Sequence, residues 1–306
     1  MKLLAKKIAR NAFKKLGISV KRVPVGKSAK VEKPLPPLFQ DPMEALVYQQ
    51  SGDDYPASFQ CPLDQTITLN GLSYSPNKWH PFVATLQDYA NGSVTTYEGS
   101  ALEAYYKAHC PDNAAGGIVG FDHVPAVFKE LPSHVYSLAP WWAGTAEEID
   151  RNVRLYTMNE SFEHGSEKLT LESDGYLYHG PVSIKKGRFE YQRLTRIYET
   201  LKTKGYDRTY GSTRFLLLRR GAEYRYLSAG NGNHRTAAMT ALGYKTVPAV
   251  FRRPIVIDSD MASYWPQVRR GVWTRKQALA YFNHLFDFDS RSWAGEQRLL
   301  DHQKTY

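Results

Sequence analysis

The residue types with the greatest chemical potential are concentrated in one short segment, NGNHR at residues 231–235, inside the stretch LSAGNGNHRTAAMTALGYKTVPAVF. A glycine-rich loop that opens a helix presents backbone N–H groups and the positive end of the helix dipole, which suits an anion. Arg235 can bind phosphate oxygens with two hydrogen bonds, and His234 can donate a further one or act as an acid. A well-capped connection, with Asn233 as N-cap and Gly243 as C′ residue, explains the same residues without a ligand. Both interpretations stay open.

The elements that position this segment can be read from its flanks. The stretch RFLLLRRGAEYRYLSA predicts two strands joined by a turn at Gly221, and TVPAVF predicts a further strand. Before this hairpin, residues 182–184 predict a short strand, and a helical apolar face stops at Gly205. The face comprises Leu194, Ile197, Tyr198 and Leu201. Elsewhere, Ser100 and Thr274 are predicted N-caps of two further helices.

The resulting order of elements over residues 180–253 resembles the ParB/sulfiredoxin superfamily domain. In that family a helix that ends near a glycine precedes the hairpin, and a loop of the type GERR, GCHR or DGHTR opens the next helix. Gly232-Asn233-His234-Arg235 stands at that position in this chain, followed by Ala237-Ala238, Leu242-Gly243 and Val247-Pro248. The resemblance implies an α+β fold, with a mixed sheet and helices, for this part of the chain.

The resemblance also implies a ligand. In these relatives the loop and the helix N-terminus hold nucleotide phosphates, so ATP or CTP, with or without Mg²⁺, is the expected cofactor. The residues expected to bind it are Asn231, Gly232, Asn233, His234, Arg235, Lys186 and Arg188. Two positions depart from the family pattern. Asn233 replaces the cysteine that sulfiredoxin chemistry needs, and Asn231 replaces an aspartate of the serine-kinase relatives, which leaves a poorer Mg²⁺ ligand.

Catalysis would need an acid or base, and Glu190 and His234 are the candidates. Related kinases use an upstream carboxylate as base, which favours Glu190, whereas a surface ion pair with Arg193 or Lys186 is the structural alternative. Weaker candidates are Glu172, Asp174, Asp258 and Asp260. The histidines are scattered, and neither paired cysteines nor an HExxH motif occurs, so no metal site is expected.

Charge changes sharply along the chain. Residues 1–33 carry eleven basic residues and one acidic, residues 34–175 six and nineteen, and residues 176–255 sixteen and four. The basic segment around the loop can attract phosphate, nucleotide or nucleic acid, or can face the acidic segment.

Five parts are predicted: a basic amphipathic helix at 1–22, a Pro-rich linker at 23–42, an irregular acidic α/β front lobe at 43–175, the ParB/sulfiredoxin-like domain at 176–255 and a C-terminal helical segment at 256–306.

The first segment bears on location. Residues 1–22 place apolar side chains on one helical face and lysines mostly on the other, which suits an anionic membrane surface, although a free tail or a helix docked on the acidic lobe is also open. The chain has no apolar run of transmembrane length and two cysteines, which favours a cytoplasmic protein, peripheral at the inner face of the membrane. In the front lobe, Trp141 and Trp142 can stack on a sugar or base, or serve packing alone.

Two function classes therefore stay open. The first is a nucleotide-dependent phosphotransferase or NTPase, acting on a surface-glycan or lipid-linked precursor near a membrane. The second is a nucleotide-gated DNA-binding module, like the chromosome-partitioning relatives. Such a module needs a DNA-reading helix-turn-helix, and the tail from residue 256, with seven basic and six acidic residues, offers no clear one. The enzyme class is therefore preferred, and DNA is not the expected partner.

Overall fold

One mixed sheet of six strands organises the computed structural model, which describes residues 35–50, 57–163, 168–230 and 232–300. The strands are β1 (Leu38–Phe39), β2 (Ser58–Pro62), β3 (Thr66–Ile67), β4 (Thr213–Arg220), β5 (Glu223–Ser228) and β6 (Thr246–Asp258). They lie in the order β1-β2-β6-β4-β5-β3. The pairs β2–β6 and β4–β5 are antiparallel, and the other three pairs are parallel. The amphipathic helix predicted at residues 1–22 lies outside the described residues.

Ten α-helices accompany the sheet in these described ranges. They are α1 (Pro42–Gln50), α2 (Pro81–Asn91), α3 (Ala101–Ala108), α4 (Ala146–Glu163), α5 (Leu171–Asp174), α6 (Ile184–Lys204), α7 (Asn233–Ala241), α8 (Pro266–Arg269), α9 (Arg275–Asp287) and α10 (Ser290–Glu296). Short 3₁₀ helices join them, among them Ser133–Ser137 and Ser259–Tyr264. The α+β fold class is therefore confirmed.

The sheet is buried on both faces, which explains the uninterrupted apolar run in β4. Phe215 and Leu217 belong to a core cluster that includes residues of α2, α3, α6 and α7. Leu216 and Leu218 point the other way and belong to a second cluster with residues of α9 and the 3₁₀ segments. A strand covered on both sides carries a near-continuous hydrophobic run rather than an alternating one.

The start of α6 corrects one sequence prediction. Ser183 is the N-cap of α6, and its hydroxyl oxygen accepts the Lys186 N–H at 3.0 Å. Residues 182–184 therefore do not form the predicted strand, because the cap residue leads directly into the helix. The two other predicted caps are confirmed: Ser100 accepts the N–H of Glu103, and Thr274 forms a capping box at the start of α9.

Glycines mark the ends of the elements around the loop. The hairpin turn at Gly221, with φ of 58°, is confirmed, as are the helix ends at Gly205 and Gly243, with φ of 72° and 81°. Asn233 is not the N-cap of α7. Gly232 takes that position with φ of 93°, and Asn233 is the first helical residue.

The segment before residue 176 contributes strands to the same sheet as the segment after it. In the antiparallel pair of β2 with β6, Phe59 lies opposite Ala249, and β3 runs beside β5. On the helical side, α2 packs against α7 and α6. Residues from both sequence segments therefore surround the loop that precedes α7.

Candidate functional site

The loop between β5 and α7 is built around two glycines with positive φ. Gly230 has φ of 85° and Gly232 has φ of 93°. A Cβ atom at Gly232 would lie 2.9 Å from the Cα of Thr213, so the loop backbone passes directly over the start of β4. No side chain caps α7. The helix start is thus set by backbone packing, and Asn231, the residue between the glycines, lies outside the described residues.

Asn233 anchors the loop to its surroundings. Its Oδ1 accepts a hydrogen bond from the hydroxyl of Ser228, the last residue of β5, and its Nδ2 donates to the hydroxyl of Tyr178. The side chain is buried. Asn233 therefore fixes the position of the helix start through protein contacts.

His234 belongs to a buried cluster of charged side chains on α6. Its Nε2 lies 2.8 Å from Oε2 of Glu190. The other Glu190 oxygen lies 2.6 Å from Nζ of Lys186, and Arg193 Nη1 lies 3.4 Å from Oε2. The side chains of Glu190 and Lys186 are 0% and 1% exposed. The partners that the sequence suggested for Glu190 are present, but the ion pair is in the interior and not on the surface.

This cluster keeps Glu190 ionised. Burial opposes the charged carboxylate, but Lys186, His234 and Arg193 together hold the pKa of Glu190 well below its usual range. A carboxylate with so low a pKa is a weak proton acceptor. Its negative charge favours a proton on Nε2 of His234, the ring atom that faces it. Glu190 can therefore orient His234 and fix its tautomer.

Two residues from the front segment cover His234 from the other side. The ring of Phe82 stacks on the imidazole with centroids 5.1 Å apart. His80, the N-cap of α2, accepts the Phe82 N–H at Nδ1 over 3.1 Å. Burial and the nearby His234 lower the pKa of His80 to about 3, so His80 is neutral and able to accept. The imidazole of His234 is thus held by aromatic packing as well as by Glu190.

Arginines surround the base of the loop. Arg235 donates from Nη1 to the carbonyl oxygen of Gly211, and Arg252 donates from Nη1 to the carbonyl oxygen of Ala229 at 2.8 Å. Arg214 is joined to the loop through its backbone, since its carbonyl accepts the Ala229 N–H at 2.9 Å. Arg214 and Arg252 are exposed, and neither forms an ion pair with another described residue. The positive charge of Arg252 at the loop is therefore not neutralised by an ion pair within the described chain.

The other predicted residues lie in separate environments. Arg188 is exposed and its Nε donates to Glu98 at 2.6 Å, so its assignment to phosphate stays a prediction. Lys186 is occupied by the buried pair with Glu190. Three of the weaker carboxylate candidates have partners elsewhere: Asp174 with Ser183, Glu172 with Arg154, and Asp258 with Arg219. Asp260 is exposed in the segment after β6.

Sequence reasoning did not identify Arg214, Arg252, Phe82 and His80 as parts of the site. The arginines carried a usable signal, because basic residues next to apolar ones at the start of β4 and in the middle of β6 need a reason. Phe82 and His80 carried none, since only the packing of α2 against α7 brings them to His234.

A comparison of the chain with protein-family models, curated proteins and solved structures gives no match. Among the described residues, no three His, Cys, Asp or Glu side chains are grouped so that they could share a metal ion. The helices in this part of the chain are all too short or too polar to cross a membrane. The assignment of a function therefore rests on the geometry around residues 229–235.

Proposed function

We propose that the protein binds the phosphates of a nucleotide, ATP or CTP, at the loop of residues 229–235 and catalyses phosphoryl transfer or nucleotide hydrolysis. The observation that carries the proposal is the segment that leads into α7. The helix lacks a side-chain cap, and the exposed Arg252, which forms no ion pair in the described chain, donates to the carbonyl oxygen of Ala229 just before it. A phosphate supplies both the acceptor atoms and the negative charge that this arrangement lacks.

The physical argument for an anion has two parts. The N-terminus of a helix carries a partial positive charge that favours negative groups within its first turn. Guanidinium groups bind phosphate oxygens bidentately, and such charge-assisted hydrogen bonds are about twice as strong as neutral ones. Arg252 supplies a guanidinium group at the base of the loop, and Arg235 supplies one in the first turn of α7.

The enzymatic half of the proposal is supported by the resemblance of residues 180–253 to the ParB/sulfiredoxin superfamily and by the buried pair of Glu190 and His234. Glu190 acts as the positioning residue, because its carboxylate is enclosed and weakly basic. His234 is the group in the first turn of α7 that can hold a proton. A nucleotide supplies the transferable phosphoryl group, and Mg²⁺ would be held mainly by its phosphates and water.

The acceptor is proposed from the charge pattern. The basic amphipathic segment 1–22 supports an acceptor near an anionic membrane, such as a surface-glycan or lipid-linked precursor. Flotation of the full-length chain with acidic liposomes, and its loss on deletion of residues 1–22, is the expected result for this part. Equal flotation of both proteins contradicts it.

Calorimetric titration of the full-length protein with ATP, CTP and tripolyphosphate, with and without Mg²⁺, tests the proposal. Saturable binding with one site per chain is expected for at least one nucleotide, followed by Mg²⁺-dependent release of γ-phosphate. Absence of binding to all three ligands contradicts the proposal.

A parallel gel-shift series at physiological salt addresses the DNA-binding class. Nanomolar, sequence-selective binding of a duplex would favour that class instead.

A further inference from the structure

A cleft of about 640 Å³ opens on the face of the sheet that α9 covers. Its walls include Trp141, Trp142, Trp265, Val256 and Met261. A volume of this size falls within the range of roughly 300–1,000 Å³ that is usual for small-molecule sites. The cleft is therefore large enough for a nucleobase and its ribose.

The walls are apolar and partly exposed. Val256 is 38% exposed and Met261 is 50% exposed, although both are large hydrophobic residues. Trp141 is buried, and its indole N–H has no acceptor among the described residues. A flat ring that carries acceptor atoms fits such walls. Its faces can stack on the indole rings and pack against the apolar side chains, and its ring nitrogens or carbonyl oxygens can accept the indole N–H.

One arginine connects this cleft to the loop. The guanidinium of Arg252 donates to the carbonyl oxygen of Ala229 at 2.8 Å and lies 5.8 Å from the ring centroid of Trp142. The next residue, Arg253, lines the cleft itself. A single side chain thus spans the gap between the loop and the aromatic wall. A ligand with phosphates at the loop could place its other end against Trp142.

We infer that this cleft receives the heterocyclic base of the nucleotide whose phosphates bind at residues 229–235. The inference rests on the proposed function and adds a base-binding subsite to it. Trp142 provides the stacking surface, and Val256 and Met261 cover the edge of the ring. Arg252 stands between the base and the phosphates.

The polar groups around the cleft favour a base over a sugar acceptor. Sugar recognition needs hydrogen-bonding groups for several hydroxyls, and three acceptor groups of the wall already have a donor. Gln267 Nε2 donates to the carbonyl oxygens of Trp142 and Gly144, both at 2.7 Å. The carboxylate of Asp258 is paired with Arg219. What remains is an apolar slot with cationic side chains at its edge, which suits a planar ring attached to phosphates.

Calorimetric titration of Trp142→Ala with ATP and with tripolyphosphate tests this inference. Loss of one stacking contact is expected to weaken ATP binding by roughly tenfold or more, whereas tripolyphosphate affinity should stay unchanged. Met261→Asn provides a second variant, because it changes the cleft wall without removing the ring beside Arg252. Tyr264→Ala is the matched control, since Tyr264 is 67% exposed, close in sequence and not part of the wall.

The outcomes separate the two proposals. If wild-type protein binds none of ATP, CTP and tripolyphosphate, the proposed function fails and the subsite with it. If it binds ATP no more tightly than tripolyphosphate, or if Trp142→Ala and Met261→Asn leave ATP affinity unchanged, the base-binding subsite is overturned while the phosphate site stands. A loss of ATP affinity in both cleft variants, and not in Tyr264→Ala, supports the subsite.

Discussion

At the scale of single residues, Glu190 determines the character of the site. It is fully enclosed and faces Lys186, Arg193 and His234. A buried carboxylate with several basic partners stabilises its surroundings only while all of them are present, because removal of one charge leaves the others uncompensated in a poorly solvated place. The same residue therefore supports the fold and orients His234.

Glu190→Gln is expected to destabilise the protein. The substitution keeps the shape of the side chain but leaves Lys186 and Arg193 without their buried counter-charge, so the free energy of unfolding should fall by about 3–5 kcal/mol. Urea denaturation followed by circular dichroism measures the change.

The matched control is Glu98→Gln. Glu98 forms an ion pair with Arg188 at 2.6 Å, as close as the pair of Lys186 and Glu190, but both members of this pair are exposed. Its loss should leave the free energy of unfolding nearly unchanged, because solvent screens an exposed ion pair. If the two substitutions changed the free energy of unfolding equally, Glu190 would not be enclosed among Lys186, Arg193 and His234.

Part of this cluster was predictable from spacing. Lys186, Glu190 and Arg193 are four and three residues apart, which places them on one helix face, and both partners of Glu190 were named on that basis. Arg188 lies about 200° around the same helix from Lys186, which explains why it points elsewhere. Burial was not predictable, because it depends on His234, 44 residues away in sequence.

At the scale of elements, the junction of the loop with α7 depends on Gly232. The residue has φ of 93° and passes over Thr213. Sequence patterns located the loop, the helix and its end correctly, because the glycines mark changes of direction. They assigned the cap to Asn233, since asparagine is a preferred N-cap and its contacts with Ser228 and Tyr178 exist only in the folded chain.

Gly232→Ala is expected to lower the free energy of unfolding by roughly 2–4 kcal/mol, because the left-handed backbone is unfavourable for alanine and the new Cβ collides with β4. Thermal or urea unfolding measures the loss. Gly243→Ala is the control: it has a similar φ of 81° with no atom within 4 Å of the new Cβ. Its loss should be roughly 1–2 kcal/mol, the cost of the left-handed backbone alone. A Gly232→Ala protein as stable as the control would contradict the close packing of the loop on Thr213.

At the scale of the whole molecule, the sheet joins parts of the chain that differ in charge. Its centre, β4 with β5 and β6, was predictable because these strands are apolar and close in sequence. The outer strands β1 and β3 have two residues each and lie far from their partners in sequence, so no local pattern could reveal them. Their pairing depends on long-range contacts, which also bring His80 and Phe82 to the site.

The buried His80 and His179 and the half-buried His109 should make the stability of the whole molecule sensitive to acid. Burial lowers the pKa of His80 to about 3 and the pKa values of His109 and His179 to about 4. All three bind a proton more readily in the unfolded chain, so the free energy of unfolding should decrease as the pH falls below about 6.5. Each histidine contributes up to about 1.4 kcal/mol per pH unit.

Urea unfolding at several pH values between 7.5 and 4.5 measures this slope. His109→Gln is expected to reduce it, because one of the three groups no longer titrates. Glu190 affects the free energy of unfolding in a lower pH range than the histidines. Its pKa is lowered in the folded protein, so the stability that it contributes is lost only below about pH 4.5. A flat stability profile from pH 6.5 to 4.5 would contradict the burial of these histidines.

The central claim, that the loop of residues 229–235 holds phosphate, is tested most directly by the ATP affinity of Arg252→Gln. Arg252 is exposed, its guanidinium contacts the loop at Ala229 and it forms no ion pair in the described chain, so its loss should leave folding intact. Arg196→Gln is the matched control, because Arg196 is an exposed arginine on α6 that likewise lacks an ion pair among the described residues. Calorimetry should show ATP binding weakened by roughly ten- to a hundredfold in Arg252→Gln and unchanged in Arg196→Gln. Equal ATP affinity in all three proteins would contradict the claim.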